Sequence, residues 1–309
     1  MKAVLVCLGI ALSLGACKKS GGGGSGWLVG TNGLMANVQS DGLTRDYPLN
    51  SSADLNAIAC RFHGEAWVVG AHGTLLYTSD AGATWAPQAI PSTANLRALA
   101  TQDSGPVFVG GDGVLLTTTD TGQHWTTLAN GNANFIAIAA AQNADTVLAV
   151  ADDGGLFSVE NDQLVSRGSF AGARAVAVAS DGETAILVGD HLISRSSDGG
   201  RSWTPLAVAG DIRFDGVRID DNGEALAVGT GGAIAHVSAA GQVALQQVGA
   251  ANLHALHIAE ADDDAGAAGF AAGDDGRVVI TLDGGNTWHD GPSVGRTVLG
   301  VDMIGAGHL

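Results

Sequence analysis

Apolar positions recur along this chain in short runs rather than in helical stripes. Five-residue runs begin at Leu55 (LNAIA), Leu96 (LRALA), Phe135 (FIAIA), Ala173 (ARAVA), Phe214 (FDGVR), Leu253 (LHALH) and Val298 (VLGVD), 38 to 45 residues apart. Most are followed by a second run: AWVVG, PVFVG, TVLAV, AILVG, ALAVG and GFAAG. A third follows a glycine-rich turn, as in TLLYTSD, VLLTTTD, LISRSSD and RVVITLD, and a weaker fourth opens after a tryptophan. Apolar runs of this length, bounded by Gly, Asn and Asp, predict strands joined by tight turns.

Four short strands in a period of about 40 residues predict one blade of a β-propeller. Seven first strands predict seven blades. Residues 27–49 supply second, third and fourth strands without a first, whereas VLGVDMI at the C-terminus supplies a first strand with nothing after it. Joining them completes the ring and removes a sheet edge. The expected fold is therefore all-β: a single seven-bladed propeller of four-stranded antiparallel blades over residues 26–309, closed by its terminal segments.

A second pattern sits inside the repeat. TSDAGATW, from Thr78 to Trp85, returns as TTDTGQHW (Thr118 to Trp125), SSDGGRSW (Ser196 to Trp203) and TLDGGNTW (Thr281 to Trp288). Each copy falls on the turn between third and fourth strands. There Asp80, Asp120, Asp198 and Asp283 can accept backbone N–H bonds, and Gly82, Gly122, Gly200 and Gly285 can take a positive φ. Trp85, Trp125, Trp203 and Trp288 can lay an apolar face on the hairpin. Each box reads as a self-contained architectural turn. One aspartate per blade around a rim does not make the convergent carboxylate pair that glycoside hydrolysis needs.

These boxes resemble the BNR or Asp-box repeat, and the longer pattern GxxGTLLYTSDAGATW in one seven-bladed ring is most similar to the photosystem II stability/assembly factor group. That resemblance implies a non-catalytic protein that binds or helps assemble others. The fourth repeat (LFSVENDQLVSR) and the sixth (AIAHVSAAGQVALQQ) lack the box, and the first keeps a remnant at Ser40, Asp41 and Gly42. The competing expectation is a glycan-binding or sialidase-like glycan-cleaving surface protein. Sialidases of similar architecture imply an arginine triad, an Arg-Ile-Pro signature and a tyrosine paired with a glutamate. Here the tyrosines are Tyr47 and Tyr77, and no Arg-Ile-Pro occurs.

The N-terminus reads MKAVLVCLGIALSLGAC, a lysine and a short apolar run too brief to span a bilayer. LGAC resembles a bacterial lipobox, which implies a signal peptide over residues 1–16 and lipidation of Cys17. Residues 17–25 then form a flexible tether. The expected location is the bacterial envelope, with the outer membrane favoured by Lys18 after the cysteine and the lipid as sole membrane contact. Cys7 leaves with the signal, so Cys60 remains without a disulfide partner and reads as a buried thiol.

A formal net charge of −17, with lysines only at 2, 18 and 19, excludes a nucleic-acid partner. No cofactor or metal site is expected: His254 and His257 lie three apart on a strand, and Asp262, Asp263 and Asp264 lack calcium-loop spacing. A monomer is expected. The candidate binding face is the set of turns between second and third strands, carrying Asn32, His72, Asp112, Asp153, His191 and Asp275. Turns at one blade position share one face of the disc, and loops on a rigid scaffold commonly carry binding residues. Envelope or membrane proteins are the expected partners.

Overall fold

The computed structural model describes residues 25–38, 44–47, 52–61, 64–131, 133–258 and 268–304. Cys17, the signal and nearly all the tether, Ser40 to Gly42 and Asp262 to Asp264 lie outside the described residues.

Seven antiparallel four-stranded sheets form the ring. Blade 1 takes its innermost strand from the C-terminus, Val298–Ile304, and continues with Ser25–Gly30, Leu34–Val38 and Thr44–Asp46. Blades 2 to 7 begin with inner strands Leu55–Cys60, Leu96–Thr101, Phe135–Ala140, Ala173–Val178, Phe214–Ile219 and Leu253–Ile258, and run outward in chain order. All seven inner strands start at the residue where the apolar repeat places them. The seam is an ordinary antiparallel pair, with Ser25 opposite Ile304 and Leu28 opposite Val301.

Burial explains why the second strands read as unbroken apolar runs. Ala66–Gly70, Val107–Gly111, Val147–Ala151, Ala185–Gly189 and Gly269–Gly273 are buried at every residue, because neighbouring blades cover both faces. The core is correspondingly split into layers between blades. Trp27, Val29 and Met35 of blade 1 pack on Leu55, Ile58 and Val68 of blade 2. Leu148 and Val150 of blade 4 meet Ala173, Val176 and Leu187 of blade 5.

Second strands in six blades end in glycine for a steric reason. A Cβ on Gly30, Gly70, Gly111, Gly189, Gly229 or Gly273 would lie 1.9–2.3 Å from the carbonyl oxygen preceding its own blade's inner strand. That same oxygen accepts the N–H of the residue after the glycine, as in Ala71 to Asp54 and Asp112 to Asn95. Glycine permits this close approach.

The Asp boxes fold as expected locally but are not self-contained. Thr78 Oγ1 donates to Asp80 Oδ1 (2.7 Å) and accepts the N–H of Gly82 (3.0 Å). The Asp80 carboxylate also accepts the N–H and hydroxyl of Thr84. Asp120, Asp198 and Asp283 repeat the pattern with His124, Ser202 and Thr287. These bonds hold the Asp120 and Asp198 carboxyls at about 2, through His124 and Ser202 foremost. The correction concerns the glycine. A Cβ on Gly82 would meet Trp27 of blade 1 at 2.1 Å, and one on Gly200 would meet Leu148 of blade 4 at 2.8 Å. Each box thus presses its turn against the preceding blade.

Candidate functional site

Every inner strand carries a bulge at its second residue. The ladder shifts register between Leu55 and Ala57, Leu96 and Ala98, Phe135 and Ala137, Ala173 and Ala175, Phe214 and Gly216, and Leu253 and Ala255, with the matching shift at the seam. A bulge leaves one residue out of the ladder and re-aims its side chain. The bulged residues are Asn56, Arg97, Ile136, Arg174, Asp215, His254 and Leu299, one per blade. They ring the central axis at the end of the disc that carries the turns between second and third strands.

At four of the seven junctions those turns are fixed by an Asx side chain at the start of the following blade. The N–H of Asn32 donates to Asp54, that of His72 to Asn95, that of Gly113 to Asn134 and that of Gly231 to Asn252. Three of these asparagines then donate to an aspartate opening their own blade's turn: Asn95 to Asp112, Asn134 to Asp152 and Asn252 to Asp274 (2.8–3.0 Å). A single amide side chain therefore fixes two turns, one from each of two adjacent blades.

The bulged basic side chains meet aspartates at the same turns. Arg97 pairs with Asp112 and Arg174 with Asp190. His254 Nε2 lies 2.7 Å from Asp274, and its Nδ1 lies 3.2 Å from Asp215. Asp215 also receives Arg213 at 2.9 Å, with Arg174 at 3.8 Å. Burial pushes the Asp215 carboxyl up, but hydrogen bonds from His254 and Arg213 outweigh it and hold it below the usual carboxylate range. The Asp215 bond, with that of Asp274, raises His254 against the opposing effect of burial. Carboxylates Asp112, Asp215 and Asp274 are thus each engaged by a basic side chain.

Of the six expected face residues, all sit on these turns, but they have different surroundings. Asp112 is inside the network. Asn32, His72, His191 and Asp275 adopt left-handed φ of 53–58°, which favours Asn, Asp and His among non-glycine residues. Asn32, His72, Asp153, His191 and Asp275 are exposed at the turn tips. His191 pairs with Asp211, and Asp153 accepts the N–H of Gly155. Their chain neighbours Asp190 and Asp274 are half-buried instead, while Asp152, itself exposed, accepts the Asn134 amide. Sequence reasoning passed over Asp54, Asn95, Asn134, Asn252 and the bulged ring. The available signal was the Asx directly before the apolar repeat in DLNAIA, NLRALA, NFIAIA and NLHALH.

At the opposite end of the channel, His257 Nδ1 lies 2.6 Å from Asp302, whose other oxygen accepts the Cys60 N–H at 2.8 Å. His254 and His257 therefore serve different clusters. Burial first, then the Asp302 charge, pushes the Cys60 thiol well up. No group of three His, Cys, Asp or Glu side chains suited to a metal occurs among the described residues. Tyr77 does pair with a glutamate, its hydroxyl lying 2.8 Å from Glu65. It lies on a third strand rather than at the channel, and burial together with Glu65 pushes its pKa up to about 12. That phenol is protonated at neutral pH, the reverse of an activated nucleophile.

The sequence profile described as Photosynthesis system II assembly factor YCF48 matches residues 22–162. No curated protein matches the chain by sequence. Among solved structures, YCF48 from Cyanidioschyzon merolae superposes with a TM-score of 0.62 at 20% identity, covering 81% of this chain and 88% of that one. A catalytically inactive virginiamycin B lyase from Staphylococcus aureus with quinupristin gives 0.67 at 14% identity, covering 80% and 87%. The WD40 β-propeller domain of Doa1 gives 0.68 at 12% identity, covering 90% of each chain. At these identities the superpositions establish the fold, and the profile match spans two of the four boxes, those of Asp80 and Asp120. The chain is a seven-bladed Asp-box β-propeller that resembles the photosystem II assembly factor YCF48 family.

Proposed function

We propose that this protein is a non-catalytic binding module that holds or helps assemble cell-envelope proteins, using the face formed by the turns between second and third strands. The observation that carries this reading is the network beneath that face. Asx side chains tie turns of successive blades together, so the exposed groups of Asn32, His72, Asp153 and Asp275 are presented on a pre-organised platform. Preorganisation lowers the ordering cost of binding. Asp112, Asp215 and Asp274 are engaged by arginine, histidine or asparagine, a pattern suited to holding shape rather than to acid–base chemistry. The profile match to an assembly factor supports the same reading. The lipobox-like LGAC supports presentation at the membrane through lipidated Cys17, with the outer membrane as the proposed location.

In-cell crosslinking of the tagged chain, followed by detergent extraction, capture and mass spectrometry, tests the proposal, with Cys17→Ser as the mislocalised control. The triple variant His72→Asn, Asp153→Asn and Asp275→Asn alters the face while keeping residues that tolerate its turns. Capture of a defined envelope protein that the triple variant loses supports the proposal. Capture unaffected by the variant, glycan alone, or nothing above control would sink it.

A further inference from the structure

Beyond that face, the rim of the disc contains one outer edge unlike the others. Exposed strand edges template pairing with another chain, and proteins blunt them by shortness, charge, proline or bulges. Blades 2, 5 and 7 end in two-residue strands, Ala86–Pro87, Thr204–Pro205 and His289–Asp290. Thr44–Asp46 of blade 1 contains Arg45 and Asp46. The edges of blade 3, Thr126–Asn130, and blade 4, Gln163–Ser169, each pair through a register shift, and the latter carries Arg167.

Blade 6 has none of these devices. Its edge, Val243–Gln247, pairs residue for residue with Ala233–Val237, from Val237 opposite Val243 to Ala233 opposite Gln247. Its outer side pairs with no described strand. Leu245, at 40%, is the one exposed large hydrophobic among the described residues. Charged residues make up 15% of the chain, yet none falls between Ala225 and Ala259.

We propose that this edge pairs antiparallel with the same edge of a second copy. The occupant follows from electrostatics and symmetry. A chain of net charge −17 repels its own copies over most of its surface, and repulsion is least where no acidic side chain lies. A charged partner would find no complementary group on this strand. A two-fold axis through Leu245 sets Leu245 against Leu245 of the second copy, Ala244 against Gln246 and Val243 against Gln247. Such an isologous contact closes on itself and stops at the dimer. It covers the exposed leucine and completes the open ladder. The contact departs from the monomer expected from sequence. A five-residue pair is small beside the roughly 1,000 Å² of lasting interfaces, so association is weak and is sought over about 10 µM to 1 mM.

Sedimentation velocity of the purified full chain across that range tests this, with Leu245→Lys as the variant and circular dichroism as the check on folding. The proposal expects a monomer–dimer equilibrium that Leu245→Lys weakens by about tenfold or more, since like charges directly opposite destabilise a strand pair. Leu245→Cys in a background with Cys7, Cys17 and Cys60 each changed to Ser adds a direct reading, a disulfide-linked dimer on mild oxidation. A chain monomeric throughout the range overturns the proposal. So does association that Leu245→Lys leaves unchanged, which would locate the contact elsewhere. Neither result bears on the turn face.

Discussion

Replacing the box glycines one at a time measures how strongly each Asp box bears on the blade before it. Gly200 has φ +83°, and an added Cβ would lie 2.8 and 3.0 Å from the two methyls of Leu148. Leu148 is fully buried, so its methyls have nowhere to go. Gly200→Ala therefore combines two penalties. Left-handed backbone costs about 1–2 kcal/mol for a residue with a Cβ, and overpacking a filled core costs about 1–3 kcal/mol. Alanine recovers about 0.4–1 kcal/mol by restricting the unfolded chain. The net loss is about 2–4 kcal/mol, a fall in Tm of about 5–10 °C for a domain of this size. Two companions separate the contributions. Gly295 has φ +69° with nothing within 4 Å of its Cβ position, so Gly295→Ala reports backbone strain alone, about 1 kcal/mol. Gly285 faces Leu226, which is partly exposed and can rotate away, so Gly285→Ala falls between them. Urea denaturation followed by tryptophan fluorescence and far-ultraviolet circular dichroism ranks the three. If Gly200→Ala costs no more than Gly295→Ala, the box does not bear on blade 4 and the clasp argument fails.

Three further outcomes are expected. His254 has a raised pKa in the folded protein, so its contribution is complete below about 6.5 and is lost as pH rises through the folded value; a Tm profile from pH 5 to 9 should decline more steeply for wild type than for His254→Gln, and parallel profiles would refute this. Asn95→Asp removes the amide donor to Asp112 and sets a second carboxylate beside it, which should lower stability by about 1–3 kcal/mol; a neutral result in denaturation would mean that the amide latch is incidental. Cys60, half-buried with its thiol pushed up by burial and Asp302, should react with iodoacetamide at pH 8 far more slowly in the native protein than on unfolding, and Asp302→Asn should speed labelling. Rapid labelling of the native protein would contradict that placement.

What the sequence determined by itself was the repeat and everything local to it. Leu55, Leu96, Phe135, Ala173, Phe214, Leu253 and Val298 open the inner strands because each begins an apolar run that is legible within a single repeat. The box bonds at Asp80, Asp120, Asp198 and Asp283 span a few residues, so spacing alone revealed them. Tertiary structure decided what depends on a neighbour about one repeat away. The Asn95 and Asn134 amides acquire meaning only when His72 and Gly113 of the preceding blades arrive beside them. At the turns, Asp274 is half-buried against His254 while Asp275 faces solvent, although the two are adjacent in sequence. The choice rests on where the bulged Arg97, Arg174 and His254 project, and a bulge is a property of two paired strands. Asp302 likewise reads as one polar residue in the last strand. Closure of the ring brings it against both His257 and Cys60, because only then do blades 7, 1 and 2 stand side by side.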